Sequence, residues 1–187
     1  MSKKVEKQSE RNIDFTFDNV SSISSHAIAE QIDDEQIKLV NINFNLKKHL
    51  TDQFSKFLFE TMAHVNTNIS NSEMITYGVK FLKMDFISKK IFMESPKFFT
   101  SLILKTGRRK KTTRTPERNE ASPIQGRIKE ETLQDYVSLL YSYYTSKKVI
   151  DMSNGYLSTA YFFYDFFEML INQKKTFQNY IAKELLK

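Results

Sequence analysis

The sequence predicts a mainly α-helical protein with one N-proximal β-strand that pairs with a second chain, followed by a C-terminal α-helical part. Three observations carry this. In 187 residues, only four glycines and three prolines stand beside 16 Phe and 9 Tyr, a balance that favours long helices packed through aromatic rings over an all-β sandwich. One early segment alternates with a period of two, whereas later segments repeat at three and four. No second strand is legible near the first, and an isolated strand is not stable, so a second copy is expected to supply its partner.

Residues 1–37 carry 4 basic and 8 acidic side chains without sustained periodicity and read as a mostly disordered, acidic leader. The strand follows at 38–46 (KLVNINFNL): Val40, Ile42, Phe44 and Leu46 form an apolar face, and Asn41, Asn43 and Asn45 an amide face. Leu50, Phe54, Phe57, Leu58, Thr61 and Val65 then recur at helical spacing, which predicts a helix over 49–65 that the Asn-Thr-Asn of 66–68 ends. A second helix opens on Ser70-Asn71-Ser72-Glu73, a capping box whose serine hydroxyl and glutamate carboxylate each accept from the other residue's backbone amide. Ile75, Val79 and Leu82 are its apolar stripe. Residues 87–105 read as a connecting helix interrupted near Pro96, and 106–127 (TGRRKKTTRTPERNEASPIQGR) as a basic linker without apolar pattern. Two further helices, 128–147 and 154–185, close the chain, and no internal repeat is evident.

The composition excludes several classes. Without cysteine there is no disulfide scaffold, thiol nucleophile or cysteine-ligated metal, which fits a cytoplasmic protein. The longest apolar run, 160–171, has 12 residues and contains Asp165 and Glu168; a bilayer span needs roughly 20. The charged N-terminus is not a secretory signal. His26, His49 and His64 lack ligand spacing, so neither metal nor cofactor is expected, and no nucleophile–base pair or phosphate-cradling loop points to an enzyme. The net charge of +6 is uneven: −4 over 1–37, +10 over 38–127 and zero over 128–187. A localised basic excess attracts a polyanion.

The order strand, helix, capped helix over 38–86 resembles the ribbon-helix-helix family of DNA-binding proteins, the Arc/MetJ/CopG-like repressors. The resemblance rests on Asn43-Phe44-Asn45-Leu46-Lys47, with its alternation of reading and core positions. It rests also on Ser70-x-Ser72-Glu73-x-Ile75-x-x-Gly78-Val79-x-x-Leu82 in the second helix. It implies a homodimer whose two strands pair antiparallel and enter the major groove of double-stranded DNA. Asn43, Asn45, Lys47 and, nearer the ribbon's end, Asn41 would be the base readers, since Asn matches the adenine edge and Lys can reach guanine. Ser70, Asn71, Ser72 and Lys48 would position phosphates at a helix N-terminus. Val40, Ile42, Phe44, Leu46, Ile75 and Val79 would form the dimer core. Gly78 stands where the family usually has Ala, and close packing of paired second helices would account for it.

Outside the resemblance, Arg108, Arg109, Lys110, Lys111 and Arg114 of the basic linker are candidates for sequence-independent phosphate contacts. The 128–187 part is expected to build higher assemblies or to recruit a partner protein through the apolar Tyr161–Ile171 segment. The expected function is sequence-specific DNA binding in transcriptional repression, plasmid partition, copy control or a relaxosome. The other reading is a helical protein–protein interaction module, antitoxin-like or phage-encoded, without DNA readout.

Overall fold

The alternating segment forms a strand, and its partner lies in the same chain. A computed structural model describes residues 38–104, 113–117, 119–147 and 159–187. Strand β1 (Leu39–Lys47) pairs antiparallel with β2 (Ala121–Lys129) in a two-stranded ribbon, with Phe44 opposite Ile124 and Asn43 opposite Gln125. Residues 121–127, expected as the end of a basic linker, and 128–129, expected to open a helix, are instead this strand, and the partner expected from a second copy is supplied by the same chain. The reason lies in the composition of β2: its inward face holds Ser122 and Gly126 beside Ile124 and Ile128, and Pro123 sits on its outward face. It lacks the apolar run of an ordinary strand. A proline is tolerated because each strand of a two-stranded ribbon keeps one unpaired edge.

Helix α1 (Lys48–Val65) follows β1 without a loop, and Asn66 ends it in the left-handed conformation. Helix α2 (Asn71–Ser88) starts at the capping box, with the Ser70 hydroxyl accepting from the Glu73 amide and the Glu73 carboxylate accepting from the Ser70 amide. After a connection, α3 (Lys97–Leu104) begins just behind Pro96 and packs on α4 (Glu130–Lys147), which again follows its strand without a loop. The long C-terminal helix expected over 154–185 is two helices, α5 (Thr159–Asn172) and α6 (Lys174–Glu184), hinged at Gln173 so that α6 folds over α1 and α2. No helix among the described residues is long and apolar enough to cross a membrane.

The chain contains an internal repeat that its sequence hid. An offset of 82 residues carries β1 onto β2 (39 to 121) and α1 onto α4 (48 to 130), with nine residues in each strand and 18 in each helix. The same offset relates the two hydrogen bonds that close the ribbon, Lys48 N to Glu120 O at 3.1 Å and Glu130 N to Lys38 O at 2.9 Å. A local pseudo-twofold axis therefore passes through the Asn43–Gln125 pair, and α2 and α5 are the second helices of the two units.

One aromatic core joins the units. Phe44 lies 4.7 Å from Phe163 and 5.9 Å from Tyr136, and Phe163 also meets Phe54. Ile42, Phe44, Leu46, Ile75 and Val79 are buried within this single chain, with Val40 half-buried at the ribbon's end. The apolar Tyr161–Ile171 segment is largely consumed by the same core instead of being offered to another copy. Gly78 does mark close packing of second helices, but inside the chain: an added Cβ would lie 2.8 Å from Leu170 Cδ1 and 3.0 Å from Phe166.

Because strand pairing is intrachain, the thermal unfolding midpoint is expected to stay constant over a hundredfold range of protein concentration. A midpoint that rises with concentration, measured by circular dichroism, would instead show that the folded chain is an obligate dimer.

Candidate nucleic-acid interface

The alternation that buries one face of the ribbon leaves the other in solvent. Along β1 the outward residues are Leu39, Asn41, Asn43, Asn45 and Lys47; along β2 they are Ala121, Pro123, Gln125, Arg127 and Lys129. All are exposed except Lys47, which is half-buried. Cross-strand neighbours on this face are Asn41 with Arg127, Asn43 with Gln125 and Asn45 with Pro123. Arg127 Nε donates to Asn41 Oδ1 at 3.0 Å, a bond that holds both side chains across the ribbon. Of the four sequence-predicted readers, Asn41, Asn43 and Asn45 project from the face and Lys47 sits at its edge. Gln125 and Arg127, from the stretch expected as linker, and Lys129, from the start of the helix expected over 128–147, complete the face. Sequence reasoning missed them, although a signal was there: Ile128-Lys129 followed by Tyr136, Leu139 and Leu140 repeats Leu46-Lys47 followed by Phe54, Phe57 and Leu58 at the offset of 82.

The N-terminus of α2 abuts this face. Ser72 Oγ accepts from the Arg127 amide at 2.8 Å, and Asn71 Nδ2 donates to the Gln125 carbonyl at 3.5 Å. Gly126 makes the approach possible, since an added Cβ would lie 2.5 Å from Ser72 Oγ. Three of the four residues predicted to touch phosphate thus use their side chains structurally: Ser70 in the capping box, Asn71 and Ser72 in seating the helix against β2. With the Glu73 amide taken by the Ser70 hydroxyl, what the helix offers an anion are the first-turn amides of Asn71 and Ser72 and the positive end of its dipole. The Glu73 carboxylate is held below its usual range by the Ser70 amide and hydroxyl, and so remains charged beside this terminus. Lys48 is exposed where β1 passes into α1.

The basic residues expected in the linker fall into two groups. Arg108, Arg109, Lys110 and Lys111 lie outside the described residues. Arg114 is placed against α5: its Nη1 donates to Asp165 Oδ2 at 2.8 Å and to the Tyr161 carbonyl at 3.2 Å, and its guanidinium lies over the rings of Tyr161 and Tyr164. Tyr144 hydrogen-bonds the same carboxylate oxygen, and burial, reinforced by Asp165, pushes its hydroxyl well above the ordinary tyrosine range, so it stays a donor. This cluster ties the segment before β2 to the second unit and makes Arg114 a structural residue rather than a phosphate contact. Among the described residues, no cluster of three His, Asp or Glu could hold a metal ion. Compared with protein families, curated proteins and solved structures, the chain matches none.

Proposed function

We propose that the chain is a sequence-specific double-stranded-DNA-binding protein, not an enzyme, that inserts its own two-stranded ribbon into the major groove. It would act as a single-chain counterpart of a ribbon-helix-helix dimer. The observation that carries the reading is the composition of the solvent face: three Asn, one Gln, one Arg and Lys129 at consecutive outward positions of a two-stranded ribbon. A major groove about 12 Å wide admits such a ribbon, Asn and Gln match the adenine edge, and Arg and Lys match guanine. The α2 N-terminus beside the ribbon supplies the flanking phosphate contact, and the basic excess of the 38–127 segment adds salt-dependent affinity. Repression, partition, copy control and relaxosome assembly all use such an element.

The test is binding of the full chain to a duplex that it enriches from a random pool, compared with scrambled duplexes. One chain should occupy each site. Asn43 and Asn45 are exposed, so Asn43→Ala and Asn45→Ala should fold normally. Each should lower specific affinity by roughly ten- to a hundredfold while leaving non-specific binding nearly constant. Wild-type affinity in both folded variants would mean that the ribbon is not the reading element.

A further inference from the structure

A homodimeric ribbon presents the same residues on both sides of its twofold axis and therefore reads an inverted repeat. In this chain the axis is only approximate. The offset of 82 makes Asn45 the counterpart of Arg127, Asn41 the counterpart of Pro123, and Leu39 the counterpart of Ala121; among the flanking positions only Lys47 and Lys129 agree. We infer that the protein recognises a non-palindromic duplex, with guanine in the half under Arg127 and adenine in the half under Asn45. This rests on the ribbon being the DNA-reading element.

The two ends differ in construction as well as in residue type. At one end Arg127 and Asn41 face each other and are joined through Arg127 Nε. With Nε engaged, the two Nη groups form the end-on fork that fits guanine O6 and N7. The backbone beneath is anchored on α2 by the bond from the Arg127 amide to Ser72 Oγ, at the approach that Gly126 permits. At the other end Asn45 faces Pro123, with Ala121 beyond it opposite Lys47. Neither Pro123 nor Ala121 has a polar side chain, so base discrimination there falls to Asn45, which pairs best with adenine, and to Lys47. Over the axis, Asn43 and Gln125 both carry amides, so the centre is the most symmetric part of the target. Joining both units in one chain is what permits this, because each reading position can change without altering its counterpart.

The experiment is selection of duplexes by the full wild-type chain and by Arg127→Asn, which makes the two flanking positions alike. The Arg127 side chain is exposed, and circular dichroism serves as the folding control. The wild type should yield an asymmetric consensus with guanine in one half. Arg127→Asn should lower discrimination for that guanine by roughly ten- to a hundredfold, with the other half unchanged. A palindromic wild-type consensus, or a consensus unaltered by Arg127→Asn, would overturn the inference while leaving the ribbon as reader whenever Asn45→Ala still weakens specific binding. If no sequence is enriched at all, both the inference and the proposed function fall.

Discussion

Replacing Phe44 with Ala is expected to cost about 3–5 kcal/mol, the range for truncating a buried aromatic side chain. Phe44 is 4% exposed, faces Ile124 across the ribbon, and packs on Tyr136 of α4 and Phe163 of α5. It is therefore a joint between the two units as well as part of the core. Domains of this size are stable by about 5–15 kcal/mol, so the loss would remove a large share of the total. Its neighbour Asn43 points outward, and Asn43→Ala should change stability by no more than about 0.5 kcal/mol. Denaturant titration followed by circular dichroism measures both. A Phe44→Ala cost below about 1 kcal/mol would show that the ribbon does not rest on this core.

A chain ending at Arg127 is expected not to fold cooperatively. On the sequence alone, residues 128–187 read as an assembly or partner-binding part distinct from the 38–86 unit. The structure places Ile128, Tyr136, Leu139, Leu140, Phe163, Phe166, Phe167 and Phe177 of that part in the same core as Phe44, Phe54, Phe57 and Val79. Removing them would expose the rings of Phe44, Phe54 and Phe57 to water, and fully burying one such side chain is worth about 1.5–3 kcal/mol. The truncated chain should show reduced helicity, no sigmoidal thermal transition and self-association in sedimentation. Native-like, cooperative melting of a monomeric 1–127 chain would overturn this and restore 38–86 as an independent unit.

Those features that arise from neighbouring residues were legible in the sequence. Alternation along Asn41–Leu46 assigned the strand and its wet face. The 3.6-residue spacing from Leu50 to Val65 assigned α1, and Ser70 with Glu73 assigned the start of α2 to the residue. The aromatic richness of 161–171 was a sign of burial, but the expected cover, another copy or a partner protein, is replaced by the chain's own core. β2 was illegible because its inward Ser122 and Gly126 are small to suit their partners, Leu46 and Ile42 across the ribbon and Ser72 beneath. A strand whose character is set by what it faces carries little periodicity of its own. The same holds for Arg114, whose basic, loop-like surroundings gave no hint of Asp165 and Tyr144 at a separation of 30 residues or more.

By itself, the sequence determined one strand–helix–helix unit, its amide face and its capped second helix, since each depends on contacts within a few residues or on side-chain alternation. The tertiary structure decided that the partner strand comes from the same chain. It decided as well that the C-terminal helices complete one shared core and that Gln125, Arg127 and Lys129 join the Asn-bearing face. These outcomes depend on pairing across about 80 residues, where what is matched is complementary volume and hydrogen-bonding edges, and the two copies of the unit keep only a sparse likeness, in Lys47 with Lys129 and the apolar positions beside and after them.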